Sequence, residues 1–398
     1  MSRHDGLPPR LVVFVGGFDP RGARHYYRLF AEHAALQGKV DGREYAVGPR
    51  RPLDVGSHRH AQWTFSGEAG GGDYVFFDWS DMVRAHWPRS GWRVAGQACM
   101  TYARVLKDWR VLRRVRRQTP NALMAFAYPL LYICLAMALA MGGFALGWSW
   151  SEALPLWARW IPPLAIFAAV LWGSAALDKR LNVSWLLRIF NFAADSARRD
   201  GAALAQRTLA MAGWIQARSE RQPGLEVVVV GFSVGSVQAL HLVDALRQHL
   251  PTQPTAVGQA PAAVTLLTLG NCIPLFTLMR KAQALRSTLQ AVAADSRVFW
   301  ADVSSPGDSV SFGMCDLVPL ALRGAPAPAQ AYANPRHMCS PRFHKLFEPE
   351  TYRRMRRNKM RMHFQYLMAS EKQGAYNFFA MLAAPGAVRT FVEKYLVR

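Results

Sequence analysis

Four consecutive valines, Val227 to Val230, are followed by apolar residues at helical spacing: Val237, Leu240, Val243, Leu246 and Leu250. The run predicts a strand buried on both faces, and the spacing predicts a helix with one buried stripe. The same alternation recurs along the chain. Residues 11–15 predict a first strand, ended by Gly16-Gly17, and residues 24–36 a helix with Tyr27, Phe30, Ala31 and Ala34 on one face. Residues 73–79 predict another strand, 91–117 an increasingly basic helix, and 186–218 one long helix or two. Beyond the valine strand come a Pro/Thr/Gln-rich linker at 251–261, a strand at 263–269, a helix around 276–293 and a strand at 297–303. Strands separated by helices at this spacing predict an α/β fold, a mostly parallel sheet with helices on both faces.

Two stretches break the alternation. Residues 118–151 and 160–177 carry no charged side chain, and both reach the length needed to cross a bilayer core, the second shortened by Pro162 and Pro163. They predict a transmembrane hairpin at 118–178, inserted into one α/β domain whose two parts are 1–117 and 179–398. Arg104, Lys107, Arg110, Arg113, Arg114, Arg116 and Arg117 precede the hairpin, and Lys179, Arg180, Arg188, Arg198 and Arg199 follow it. The connecting loop holds only Glu152 and Arg159, with Trp148, Trp150, Trp157 and Trp160 around it. The positive-inside rule then puts both flanks in the cytoplasm, which predicts an inner-membrane protein with its α/β domain on the cytoplasmic side.

The net charge of +22 over 398 residues would ordinarily raise nucleic acid as a partner. The excess lies beside the hairpin and in 342–361, with Arg353, Arg354, Arg356, Arg357, Lys359 and Arg361, and no nucleic-acid-binding motif accompanies it. Anionic lipid headgroups account for the same charge, so the bilayer is the expected partner. Five cysteines, at 99, 134, 272, 315 and 339, show no metal-ligand or redox spacing and fit a reducing compartment. The first residues have no apolar segment of the signal-peptide kind. His58 and His60 have no third ligand at sensible spacing and read as surface loop residues; no metal or cofactor is expected.

The valine strand runs into Gly231-Phe232-Ser233-Val234-Gly235, a G-x-S-x-G turn between strand and helix. Such a turn presents a nucleophilic serine, its glycines letting strand and helix approach closely. A tight turn of another α/β fold, with Ser233 merely capping the helix, would use the same residues.

With Gly16-Gly17, the elbow, a later strand followed by an acid, and a late histidine, segments 11–20 and 225–365 resemble the α/β-hydrolase superfamily, in particular lipase- or esterase-like bacterial members anchored in a membrane. Residues 266–271, Leu-Leu-Thr-Leu-Gly-Asn, also resemble the strand that follows the nucleophile helix in lipase-like members. The order Ser…Asp…His that the resemblance implies gives Ser233 as nucleophile. Asp308 is the expected acid, with Asp302 as alternative, and His363 the expected base, with His337, in the loop 334–337, as alternative. It also implies an oxyanion hole made by the backbone N–H of Val234 and that of Gly17 or Phe18. Asp19 follows at once, and must turn away, pairing with Arg21 or Arg24, if the hole is to work. The expected activity is hydrolysis of a lipid or other amphiphilic ester through an acyl-Ser233 intermediate. The alternative is a degenerate hydrolase domain serving as a non-catalytic membrane scaffold.

Overall fold

Along the first strand, β1 (Arg10–Val15), Leu11, Val13 and Val15 enter one hydrophobic cluster, while Val12 and Phe14 enter another on the opposite face. A strand covered on both sides needs apolar residues at every position, hence its unbroken run. The computed structural model describes residues 9–68, 70–88, 90–107, 109–196, 201–250, 264–321 and 337–397. The linker at 251–261, Ala263, the chain start, Arg198, Arg199 and residues 334–336 lie outside the described residues.

From β1 the chain forms α1 (Gly22–Asp41), then β2 (Tyr45–Val47), β3 (Arg51–Val55), β4 (His58–Gly67) and β5 (Gly70–Phe77). A helical stretch follows: α2 (Ser80–Ala85), α3 (Gly91–Leu106), α4 (Trp109–Gln118), α5 (Pro120–Trp150), α6 (Ile161–Leu181), α7 (Val183–Ser196) and α8 (Ala202–Arg221). Then come β6 (Glu226–Phe232), α9 (Gly235–Arg247), β7 (Val264–Leu269), α10 (Ile273–Thr277), α11 (Gln283–Ala294) and β8 (Val298–Val303). The chain closes with α12 (Leu317–Ala321), β9 (His337–Cys339), α13 (Phe343–Leu346), α14 (Pro349–Arg357), α15 (Lys359–Phe364), α16 (Phe378–Leu382) and α17 (Val388–Tyr395).

Among the described residues nine strands form one sheet in the order β2-β4-β5-β1-β6-β7-β8-β9, with β3 also on β4. The six from β5 to β9 in that order pair parallel, and β2, β3 and β4 are antiparallel additions at one edge. The fold is thus mixed α/β around a mostly parallel sheet. Strand order reverses between β1 and β6, the kind of seam outside which ligands bind in open α/β sheets.

Several expectations change in detail. The buried face of α1 is Tyr26, Phe30 and Ala34, one residue round from the predicted Tyr27 stripe. The helix predicted at 276–293 is two, α10 and α11, and that at 91–117 breaks between α3 and α4. His58 and His60 are strand residues of β4, not loop residues; His60 is buried and stacks on Phe77 at 5.2 Å. His337 opens β9 rather than lying in a loop, and β9 is the last strand before His363.

Among the described residues two helices are long and apolar enough to cross a membrane: Ala122–Trp150, mean hydropathy 2.1, and Ile161–Asp178, mean hydropathy 1.5. Their large side chains stand exposed, among them Leu131, Leu135, Leu139, Leu164 and Trp172. The two helices meet at Gly143 and Gly147, where an added Cβ would stand 2.7 Å from Ile166 Cγ2 and from Pro163 Cα respectively. Small residues four apart let apolar helices approach this closely.

Candidate active site

Ser233 sits between the end of β6 and the start of α9 with φ at +58°, a left-handed conformation that costs a non-glycine residue about 1–3 kcal/mol. Its surroundings hold it there. The Ser233 N–H donates to Leu269 O at 2.9 Å, and Ser233 O accepts from Ser236 Oγ at 2.5 Å and from Cys272 N–H at 3.3 Å. The flanking glycines are sterically required. A Cβ on Gly231 would meet Ser236 Cα at 2.6 Å, and one on Gly235 would run into the carbonyl oxygens of Val15 and Gly16.

Asp308 follows β8, at the same edge of the parallel strands as Ser233. Its Oδ1 accepts from the Val310 N–H at 3.0 Å, and its Oδ2 lies 2.7 Å from His363 Nδ1. Both side chains are buried, and Gly270, at φ +54°, keeps the approach to Asp308 Oδ2 clear. With the carboxylate as acceptor, the neutral ring carries its hydrogen on Nδ1 and leaves the lone pair on Nε2. Nε2 is buried with no hydrogen-bond partner among the described residues. The His363 ring packs 5.0 Å from that of Phe232, the residue before Ser233. His363 itself is borne on α15, well after β9, so no strand directly announces it.

The two alternatives lie elsewhere. Asp302, inside β8, accepts from Thr268 Oγ1 at 2.6 Å, Asn271 Nδ2 at 2.8 Å and Ser304 Oγ at 3.2 Å. Burial pushes its carboxyl up to about 6 against those three donors. His337 is half-buried against Phe299 at 5.1 Å.

Gly17 and Phe18 follow β1, beside the elbow. Trp79 Nε1 donates to Gly16 O at 3.0 Å, and the Asp19 N–H to Gly17 O at 2.8 Å, fixing the loop. The Phe18 ring is buried and stacks on Phe192 of α7 at 4.7 Å, so only its backbone is available to the site. Val234 is the N-cap of α9, where an N–H has no partner within the helix. Asp19 accepts from Arg21 Nε at 2.8 Å and from the Arg21 N–H at 3.0 Å, which engages its carboxylate with Arg21.

Ser233 Oγ has Cys272 Sγ as its neighbour, at 3.8 Å. Burial pushes that thiol up to about 12, with Ser233 opposing and the Asp308 charge reinforcing the shift, so Cys272 remains a neutral thiol. In the sequence Cys272 reads only as one of five scattered cysteines, and its place three residues after β7 is the one sign of a position at the site. Among the described residues no group of three or more His, Cys, Asp or Glu side chains could hold a metal ion.

Compared with protein-family models, curated proteins and solved structures, the chain has no match.

Proposed function

We propose that the chain is a serine hydrolase on an α/β-hydrolase-type sheet, held at the cytoplasmic face of a membrane by the hairpin 118–178. The reaction is acyl transfer from an amphiphilic ester to Ser233, followed by hydrolysis. One observation carries it: the buried Asp308–His363 pair, 2.7 Å apart with Nε2 unpartnered among the described residues, lies against the elbow that presents Ser233 at a left-handed backbone angle. His363 Nε2 takes the Ser233 proton, Asp308 stabilises the imidazolium, and the N–H groups of Val234 and of Gly17 or Phe18 receive the oxyanion.

The membrane part of the reading rests on the two exposed apolar helices and on the flanking cations, of which Arg104, Arg113, Arg116 and Arg117 are exposed. The scaffold reading draws support from one contact: Ser233 Oγ faces Cys272 Sγ instead of hydrogen-bonding His363. Catalytic hydrogen bonds often tighten only when substrate binds, so this contact does not count against the enzyme.

Labelling of membrane fractions with a fluorophosphonate probe tests the reading. Labelling of the wild type that Ser233→Ala abolishes is expected; a folded wild type that takes no label overturns the enzyme in favour of the scaffold.

A further inference from the structure

A cavity of about 720 Å³, within the range of small-molecule sites, is lined in part by Cys272, whose Sγ lies 3.8 Å from Ser233 Oγ. Its walls are apolar, with Leu112 of α4, Leu123 and Phe126 of α5, Phe190 of α7 and Leu275 of α10. On one side it reaches the candidate site through Cys272, the neighbour of Ser233 Oγ, and through Ser309 and Val310, which follow Asp308. Elsewhere it is bounded by the first turns of α5, where the apolar hairpin begins. Three cations, Arg104, Arg280 and Lys281, also line it, all exposed, and no carboxylate does so among the described residues.

An apolar volume that runs from the side-chain neighbour of Ser233 to the first turns of α5, with only positive charge among the described residues on its border, has a definite complement. We propose, building on the hydrolase reading, that this cavity takes the acyl chain of a single-chain anionic lipid of the lysophospholipid class. The chain comes from the bilayer, its ester meets Ser233, and its phosphate meets Arg104, Arg280 and Lys281. A single cavity of this size is matched to a single acyl chain. In the reaction Ser233 Oγ bonds to the ester carbonyl carbon and its proton passes to His363 Nε2. The carbonyl–alkoxy bond breaks, and the glycerophosphate alkoxide leaves with that proton. Water then bonds to the acyl carbon and gives a proton to Nε2, the bond from that carbon to Ser233 Oγ breaks, Oγ takes the proton from Nε2, and the fatty acid departs.

The test reads binding apart from catalysis. Full-length Ser233→Ala protein in phosphatidylcholine nanodiscs is photolysed with a lysophosphatidylglycerol carrying a diazirine at the end of its chain. Adducts are expected on cavity peptides around Phe190 and Leu275, and Leu275→Trp should remove them. Arg280→Ala with Lys281→Ala, both surface changes, should weaken cavity labelling about tenfold or more, while a neutral monoacylglycerol probe is unaffected. Adducts confined to the outward faces of α5 and α6, or cavity labelling indifferent to the two cations, would overturn the proposal. Fluorophosphonate labelling without cavity adducts leaves the hydrolase standing and removes the lipid site; adducts without such labelling do the reverse.

Discussion

Gly17 and Ser233 are in contact across the seam of the sheet: a Cβ built on the glycine would stand 3.0 Å from the Ser233 Cβ and 3.4 Å from its Oγ. The neighbour must give by a few tenths of an ångström, and the neighbour is the proposed nucleophile. Gly17→Ala should therefore fold, with a melting temperature close to wild type, yet lose about 10²-fold in fluorophosphonate labelling rate, the usual cost of a misplaced reacting group. Labelling at the wild-type rate would mean that this loop does not border the reacting atoms.

Asp308→Asn keeps the shape of the His363 partner but removes the acceptor that sets the tautomer. Acylation of Ser233 should fall by about 10⁴-fold, while Asp302→Asn, whose carboxylate faces Thr268, Asn271 and Ser304, should leave it within a few-fold. Ester turnover by the two purified variants decides between the acids.

Asp302 also gives a stability prediction with a definite sign. Its carboxyl sits at about 6 in the folded protein against an ordinary 3.8, so the folded state binds the proton more tightly. Its contribution is destabilising above pH 6, and it fades as pH falls through 6 towards 3.8. Asp302→Asn should thus be more stable than wild type at pH 8, by at most about 3 kcal/mol, with the advantage shrinking towards pH 4. Melting temperatures of both proteins across pH 4.5–8 measure it, and a difference that grows on acidification would contradict it.

Arg10 joins the start of β1 to Glu226 at the start of β6, Nε to Oε2, at 2.5 Å, and also donates to the carbonyls of Leu382, Ala384 and Gly386. Glu226 Oε1 accepts the Val388 N–H at 2.6 Å, which fastens α17 beneath the sheet. Removing one partner strands the other: Glu226→Ala should cost roughly 3–5 kcal/mol in denaturant unfolding, far more than Arg389→Ala, which breaks an exposed pair with Glu393.

The parts of this molecule that were legible in its sequence are those where one physical requirement dominates. A strand buried on both faces needs an unbroken apolar run, so 11–15 and 227–230 could be read directly, and a close strand-to-helix turn needs glycine at 231 and 235. Strands β3 and β4 were not legible, because Arg51, Asp54, His58 and Arg59 give them the polarity of a loop. The spacing of Gly143 and Gly147 was present but unread as a packing face. The cavity could not have been read at all, since its walls come from helices far apart in sequence that share no motif.

The insertion of the helical stretch between β5 and β6 also imposes an order of assembly. β1 pairs with β5 on one side and β6 on the other, and everything from α2 to α8 is synthesised between those two partners. While that stretch is being made, β1 keeps a bare edge of unpaired N–H and C=O groups, a hazard for any nascent chain. Gly17 at the end of β1 and Ser233 at the end of β6 meet only when β6 closes that edge. A ribosome that has not yet finished α5 and α6 therefore carries a chain with half a sheet and no Ser233, and the candidate site comes into being only after the two long apolar helices already exist.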